Sequence, residues 1–286
     1  RSGFRYALIV GGRSRIPQLS VETTTDRNTP SDLPYFTMGD SSDVIPEAYA
    51  GRVVAGSVDS LQKILRKWMD YERDTDSSAA GWSRVVGIAS NEGSNPSDAD
   101  YVNAIQNKFK STFGSDSIYL FQNNPDSNPG NFNNQLNTGA MWVTYIGHGS
   151  GTSWPSFGQS YSVSHIANLR NANAVKPVWI DVACLNGALD LTAAGVKLTS
   201  EADPSGGAIG VTAYYGGTVL VSWHPPAIFA RGVAFKMAEM VRPLLGEALQ
   251  AGQRYLTEQT SNVQDIASNQ RWYHLQGDPA LRLRLK

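Results

Sequence analysis

Short apolar runs and helical repeats of apolar residues alternate along most of the chain. Runs rich in β-branched residues predict buried strands at 5–12, 50–55, 84–90, 117–121, 140–147, 177–184 and near 207–213. Between them, apolar residues at helical spacing predict helices at 57–69, 98–114, 162–172, 226–241 and 244–259. Because strands that alternate with helices form parallel sheets covered on both faces, we expect an α/β fold with a mainly parallel sheet.

Polar stretches interrupt this alternation and suggest how the chain is divided. The segment after the first strand reads as a long loop that ends in the acidic patch GDSSDVIPE (39–47), and NNPDSNPGNFNNQ (123–135) reads as a low-complexity loop. A composition break near 75–81 predicts two parts. Residues 1–75 would be the remainder of an N-terminal αβ subdomain, and residues 76–286 the main subdomain. Since a core strand begins almost at Arg1, we expect upstream sequence in the natural protein and an N-terminal subdomain that is incomplete here.

Composition excludes several classes of function. The net charge is −1, with 24 basic and 25 acidic residues and no basic block, so a nucleic-acid partner is not expected. No apolar run reaches the roughly 18 to 20 residues that a bilayer crossing requires, so no membrane span is expected. The single cysteine rules out an internal disulfide and a multi-cysteine zinc site. It is therefore either a small buried hydrophobic residue or a lone nucleophile.

Two stretches share one layout, an apolar run that ends in a reactive side chain followed by glycine. YIGHGSGTSW (145–154) carries His148, and DVACLNG (181–187) carries Cys184. The 36 residues from one side chain to the other contain one predicted helix, which is typical of a right-handed crossover between neighbouring parallel strands. We therefore expect the thiol and the imidazole to meet at the same edge of the sheet, about one strand spacing apart.

A thiol beside an imidazole is the minimum for covalent acyl transfer, because the imidazole can take the thiol proton before the thiolate attacks a carbonyl. Gly147 and Gly149 leave room for backbone N–H groups to reach a developing oxyanion. Glu92 follows a third strand that ends in the same register, so it is a candidate to orient the ring of His148.

The simpler interpretation of each residue is structural. A lone cysteine on an apolar strand is more often buried filler, and a histidine between glycines is more often a turn residue. Because the two residues coincide at adjacent predicted strand ends, a catalytic role is favoured over a structural one. His165 is expected at the surface, and His224 and His274 have no partners at metal-ligand spacing. VGGRSR lacks the G-K-[ST] of a phosphate-binding loop, and Trp154 receives no catalytic role.

The motifs YIGHGSGTSW, IDVACLNG, PSDLPYFTMGDSSDVIPEAYAGRV and HLQGDPAL resemble those of the gingipain-type cysteine peptidases. The resemblance implies a caspase-like, three-layer αβα fold. It also implies that His148 and Cys184 form the catalytic dyad, that the N–H groups of Gly149 and Cys184 bind the oxyanion, and that Glu92 assists the histidine. No cofactor would be required for catalysis.

Arginine-specific members of that family place an aspartate at the base of the pocket for the P1 side chain, and Asp98 is the best match, with Asp100 in reserve. Trp223 matches a tryptophan of the same pocket. From the residues alone, a carboxylate at a helix start can bind a guanidinium group in bidentate fashion. It can equally be a helix cap.

The resemblance further implies a secreted or cell-surface zymogen with a pro-segment or bound N-terminal fragment. Asp40, Asp43 and Glu47 could supply oxygen ligands to a structural calcium ion, although an acidic loop is more often simply solvated. Our hypothesis is a cysteine endopeptidase that cleaves protein or peptide substrates after a basic P1 residue. The alternatives are a non-catalytic, peptide-binding pseudopeptidase and a transpeptidase or ligase that uses the same acyl-enzyme.

Overall fold

A computed structural model describes residues 5–40, 42–73, 79–93 and 95–285. In this part of the chain the strands are, in order, β1 (Tyr6–Val10), β2 (Leu19–Val21), β3 (Thr29–Ser31), β4 (Tyr49–Val53), β5 (Arg84–Ala89), β6 (Asp116–Tyr119), β7 (Trp142–Ile146), β8 (Ser153–Trp154), β9 (Tyr161–Ser162), β10 (Val178–Val182), β11 (Ala213–Gly217) and β12 (Tyr273–Gln276).

The helices of the same residues are α1 (Val58–Arg73), α2 (Asp98–Phe113), α3 (Pro129–Thr138), α4 (Val163–Ile166), α5 (Ala194–Ser200), α6 (His224–Met237), α7 (Leu245–Gln259) and α8 (Val263–Trp272). Among the described residues, none of these helices has the length and apolar character that crossing a membrane requires.

Eight strands form the central sheet in the order β1-β4-β12-β11-β10-β7-β5-β6. The five strands from β11 to β6 are parallel to one another. β12 runs antiparallel to β11 and parallel to β4, so β1, β4 and β12 form a second parallel block of opposite direction. The predicted α/β fold with a mainly parallel sheet is thus confirmed, with one antiparallel junction.

Two apolar clusters cover the two faces of this sheet. Adjacent residues of β5 show the alternation, because Val85 belongs to the cluster under α1, α2, α6 and α7, and Val86 belongs to the cluster under α3, α4 and α5. All residues of β7, β10 and β11 are buried. Strands covered on both faces read as continuous apolar runs, which explains why they were visible in the sequence.

The register of the central strands sets the position of the site. Ala89 pairs with Ile146, and Ile146 pairs with Val182, so β5, β7 and β10 end at one edge of the sheet. Glu92, His148 and Cys184 follow these three ends.

Several predicted elements are wrong or displaced. The low-complexity loop contains α3, which begins at the N-cap Asn128 with Pro129 in its first turn. The strand expected near 207–213 begins only at 213, because Gly210 has a φ of +94° and its absent Cβ would stand 1.9 Å from the carbonyl oxygen of Leu198. The helix predicted at 162–172 is reduced to α4, since the side chain of Asn171 is bonded to the backbone of Gly210 instead.

The proposed division near residue 75 remains a prediction. β1 and β4, from the first part, lie in the same sheet as the strands of the second part. Residues 74–78, where the composition changes, lie outside the described residues.

Candidate active site

The loop after β7 and the turn after β10 are in direct contact. A Cβ at Gly149 would lie 2.2 Å from the carbonyl oxygen of Cys184, so only glycine fits between the two segments. The N–H of Gly147 donates to Val182 at the end of β10 over 3.1 Å. The expectation that both motifs meet at one sheet edge therefore agrees with the geometry.

Two buried side chains hold the backbone of His148. Its N–H donates to Ser156 Oγ over 2.9 Å, and its carbonyl oxygen accepts from the Tyr145 hydroxyl over 2.7 Å. Tyr145 also accepts from the N–H of Ser156 over 3.0 Å. Since both backbone groups of His148 are bonded, the start of its side chain is fixed although the side chain itself is 52% exposed.

The ring of His148 lies between a carboxylate and an indole. Its Nε2 is 3.0 Å and 3.1 Å from the two carboxylate oxygens of Glu92. Its edge faces Trp223 at a centroid distance of 5.5 Å and an interplanar angle of 73°. Within the described residues Nδ1 makes no hydrogen bond, so this nitrogen remains available to exchange a proton with a neighbouring group.

Cys184 sits at the start of a strained turn. Leu185 has a φ of +66°, which is rare for a bulky residue, and the N–H of Asn186 bonds back to the carbonyl oxygen of Cys184 over 2.7 Å. The thiol is partly exposed, and its Sγ lies 3.5 Å from the backbone nitrogen of Val221. In the described part of the chain no hydrogen bond joins Sγ to His148, a separation often seen in catalytic pairs without substrate.

Two backbone N–H groups at this contact are available. Neither the N–H of Gly149 nor that of Cys184 donates a hydrogen bond to any residue that the structure describes. Unpaired donors at the edge of a crevice are the groups that an oxyanion requires.

Asp98 is the first residue of α2 and has no solvent exposure. Its Oδ1 accepts from Trp223 Nε1 over 2.9 Å, and its Oδ2 accepts from Ser90 Oγ over 2.6 Å. Burial raises the pKa of Asp98 above its ordinary value, while the hydrogen bonds from Ser90 and Trp223 act in the opposite direction. The structure thus brings Asp98 and Trp223 together, and Trp223 links them to the ring of His148.

Asp100 has a different role. Ser97 is the N-cap of α2, and its Oγ accepts from the N–H of Asp100 while the carboxylate of Asp100 accepts from the N–H of Ser97 over 2.9 Å. This reciprocal capping box satisfies two backbone donors at the helix start. The interpretation of Asp98 as the helix cap is therefore wrong, and Asp100 is an exposed capping residue.

The three acidic residues proposed for calcium bind their own loop. Asp40 accepts from the N–H of Ser42, Asp43 from those of Gly39 and Ile45, and Glu47 from that of Met38. Among the residues described, no group of three or more histidine, cysteine, aspartate or glutamate side chains is arranged to hold a metal ion. Calcium binding by this loop remains a prediction, and these contacts lend it no support.

The other histidines have structural contacts. His165 is half-buried rather than on the surface, because its Nδ1 accepts from the N–H of Ser162 at the start of α4. His274 is buried and accepts from the N–H of Asp32 over 2.8 Å. His224 Nδ1 lies 3.4 Å from the Tyr101 hydroxyl.

Sequence reasoning missed a buried carboxylate beneath the segments that carry His148 and Cys184. Asp181 has no solvent exposure and accepts hydrogen bonds from Trp154 Nε1, over 3.0 Å, and from the Tyr214 hydroxyl. Burial raises the pKa of Asp181 to about 7. The available signal was an acidic residue inside the apolar run VWIDVA, where an unpaired charge is not tolerated.

A thiol, an imidazole and a carboxylate at the carboxyl edge of an α/β sheet, beside two N–H groups that bind none of the described residues, are typical of the class of cysteine peptidases. The sequence profile of peptidase family C25 matches residues 1–284. The chain belongs to peptidase family C25, which confirms the predicted gingipain-type relationship.

Curated relatives agree with this assignment. The chain is 28% identical over 230 residues to gingipain R2 of Porphyromonas gingivalis, a match that covers 77% of this chain and 29% of that protein. Gingipain R1 of the same organism matches at 28% identity over 230 residues, and this match covers 77% of this chain and 22% of that protein. The chain therefore spans less than a third of the length of these relatives.

Solved structures give the same fold. The crystal structure of the Arg-specific cysteine proteinase gingipain R superposes with a TM-score of 0.85 at 25% identity, over 100% of this chain and 66% of that one. A complex of the pro- and mature domains of RgpB from Porphyromonas gingivalis gives a TM-score of 0.86 at 25% identity, over 99% and 66%. The predicted caspase-like architecture is confirmed by this similarity.

Proposed function

We propose that this chain is the catalytic part of a cysteine endopeptidase that uses Cys184 as nucleophile. The contact between Gly149 and Cys184 carries the proposal, because it brings the loop of His148, the turn of Cys184 and two backbone N–H groups that bind no described residue to one point of the sheet edge. A carbonyl carbon at that point would have a nucleophile, a proton acceptor and oxyanion donors within reach.

The reaction follows from these groups. His148 takes the proton of Cys184, and the thiolate attacks the carbonyl carbon of the scissile bond. The N–H groups of Gly149 and Cys184 stabilise the oxyanion of the tetrahedral intermediate. The imidazolium then gives its proton to the leaving amine, and a thioester to Cys184 remains. His148 next takes a proton from water, which attacks the thioester and releases the acid and the thiol.

Glu92 supports both proton transfers. Its carboxylate holds Nε2 of His148, which favours the proton on that nitrogen and leaves Nδ1, unbonded within the described residues, to exchange a proton with the thiol. The negative charge also stabilises the imidazolium that forms after the thiol is deprotonated.

Asp98 is proposed as the carboxylate that selects a basic P1 residue. It is linked to the ring of His148 through Trp223, by one hydrogen bond and one edge contact between rings, and its charge would pair with a guanidinium or ammonium group. Gingipain R is described as Arg-specific, and we extend a preference for arginine or lysine to this chain. A guanidinium group would replace the Trp223 N–H at the carboxylate.

Protein or peptide chains are the proposed substrates. One of the similar solved structures is a complex of pro- and mature domains. We propose that a pro-segment also regulates this peptidase. Secretion or display at the cell surface is the corresponding proposal for its location.

The test is hydrolysis of peptidyl aminomethylcoumarins with Arg, Lys or Leu at P1, by the wild type and by Cys184→Ala. We expect turnover of the Arg and Lys substrates and a loss of at least about 10⁴-fold in the variant. Turnover that survives in Cys184→Ala would contradict the proposal. A pseudopeptidase would show no turnover in the wild type and slow alkylation of its thiol by iodoacetamide. Aminolysis products formed with an added amine would identify a transpeptidase.

A further inference from the structure

Asp181 and the residues around it connect the two catalytic segments from below. Asp181 lies on β10, three positions before Cys184, and its Oδ2 accepts from Trp154 Nε1 over 3.0 Å. Trp154 lies on β8, in the loop that begins with His148. The Tyr214 hydroxyl, from β11, donates to the same oxygen. A single buried oxygen thus joins the strand of the nucleophile to the loop of the histidine and to the neighbouring strand.

Asn186 makes the second connection. It is fully buried two residues after Cys184, and its Oδ1 accepts from the N–H of Gly151 in the His148 loop over 2.9 Å. Its own N–H bonds to the carbonyl oxygen of Cys184 over 2.7 Å. The Asn186 amide also lies near the Asp181 carboxylate and lowers the pKa of Asp181 against the effect of burial, although its Nδ2 makes no hydrogen bond within the described residues. The two buried side chains therefore flank the nucleophile in sequence and bind the opposite loop.

A carboxylate at this depth requires an explanation, because burial strongly disfavours its charge. Two donors bind it, an indole N–H and a phenol hydroxyl, and the Asn186 amide lies nearby. Tyr145 from β7 and Tyr273 from β12 are the further titratable side chains close enough to influence its neighbourhood. An amide at position 181 would keep one acceptor oxygen but would bring N–H donors opposite groups that donate to the carboxylate.

We propose that Asp181 is a positioning residue that holds the His148 loop and the Cys184 turn at a fixed separation. The proposal rests on the catalytic dyad proposed above. Asp181 touches neither substrate nor reacting atoms, and it acts through its hydrogen bonds with Trp154 and Tyr214. Because a thiol–imidazole pair works only over a narrow range of distances, loss of these bonds lowers the rate of the chemical step more than it weakens substrate binding.

The experiment removes one bond at a time. Asp181→Asn changes the acceptor, Trp154→Phe removes the indole N–H, and Tyr214→Phe removes one hydroxyl. The chain offers matched controls that lose the same group elsewhere in the buried layers. Trp142→Phe removes an indole N–H that binds Thr144, and Tyr161→Phe removes a hydroxyl that binds Asn133.

For the three variants of the network we expect kcat to fall about 10- to 100-fold while KM changes by less than about threefold. Iodoacetamide should also alkylate Cys184 more slowly in them, because the imidazole no longer faces the thiol. The two controls should lower Tm to a similar extent and keep kcat and the alkylation rate.

Equal kcat in Tyr214→Phe, Trp154→Phe and the controls would overturn the positioning role. The role would also be overturned if kcat fell in proportion to the loss of Tm in both the network variants and the controls. General destabilisation would then explain the lower kcat. Failure of the proposed function is a different result: it appears in the wild type, as absent turnover or as turnover that survives Cys184→Ala, and it would remove this role as well.

Discussion

Asp98 and Asp181 are bound in nearly the same way and have different surroundings. Each has no solvent exposure, and each accepts from a tryptophan Nε1 and from a hydroxyl group. Asp98, however, is covered by the partly exposed Trp223, at the start of a helix beside the ring of His148. Asp181 lies inside the sheet under the fully buried Trp154.

The two carboxylates show that the same kinds of hydrogen-bond donor can surround residues with different functions. The partly exposed side chain of Trp223 lies between Asp98 and the ring of His148, so a cation could reach Asp98 if Trp223 shifted. A packed aromatic cluster separates Asp181 from solvent, and its bonds can only serve other residues of the chain. The burial of the covering tryptophan, more than the identity of the hydrogen-bond donors, distinguishes Asp98, the proposed specificity residue, from Asp181, the proposed positioning residue.

The largest expected effect is on substrate choice. Asp98→Asn should lower the ratio of kcat/KM for Arg over Leu at P1 by about 10²- to 10³-fold, because a charged partner of the guanidinium is lost. Asp181→Asn should lower kcat for both substrates and leave the ratio unchanged. Steady-state kinetics with the two coumarin substrates measures both. A ratio that falls equally in the two variants would erase the distinction between them.

The preference for arginine should also depend on pH. Burial raises the pKa of Asp98, so its carboxylate is protonated and neutral at a higher pH than that of an exposed aspartate. The Arg-to-Leu ratio should therefore fall on the order of tenfold as pH drops through this pKa. Ionisations of the dyad affect both substrates and cancel in the ratio. A ratio that stays constant as pH falls from 8 to the ordinary aspartate pKa of 3.8 would argue against Asp98 as the ligand of the P1 cation.

Asp181 should affect the stability of the protein as a function of pH. Its pKa is raised to about 7 in the folded state from an ordinary value of 3.8, so the folded state binds this proton more tightly. The resulting stabilisation is full below the unfolded pKa and is lost as pH rises through the folded pKa. Between pH 6 and pH 8 the wild type should lose about 1 kcal/mol more of its unfolding free energy than Asp181→Asn. Urea unfolding of both proteins at each pH gives the difference, and parallel curves would contradict it.

The smallest effect is expected from the neighbouring exposed carboxylate. Asp100→Ala removes half of the capping box of α2 and should lower Tm by about 2 to 4 °C. Since Asp100 faces solvent and binds Ser97, the Arg-to-Leu ratio should not change. A lower ratio in this variant would transfer the specificity role from Asp98 to Asp100.

Much of the fold was predictable because its central strands are buried on both faces. Their apolar runs, and the single helix between His148 and Cys184, were enough to place both side chains at one sheet edge. α3 was not predictable as a helix from its apolar residues, since Phe132 and Leu136 are its only large buried hydrophobic side chains. Its signal was local, in the N-cap and the proline that follows it.

Prediction of the site was limited in the same way, because some of its contacts leave no local pattern in the sequence. The choice between Asp98 and Asp100 depends on which carboxylate caps the helix, and the spacing from Ser97 to Asp100 was a readable sign of the capping box. The bond between Trp154 and Asp181 joins residues that are 27 positions apart, on different strands. No local pattern reports such a contact, so Trp154 received no role from the sequence.

The hydrogen bond from Trp223 to Asp98 implies that the free protein carries an internal ligand at its proposed specificity carboxylate. A cationic P1 side chain would compete with that indole for the same oxygen. Selectivity at P1 would then depend on the difference in free energy between two interactions of Asp98, one with the P1 cation and one with the Trp223 indole. A neutral side chain that cannot displace the indole would leave the pocket closed, so the unoccupied state itself would exclude the wrong substrates.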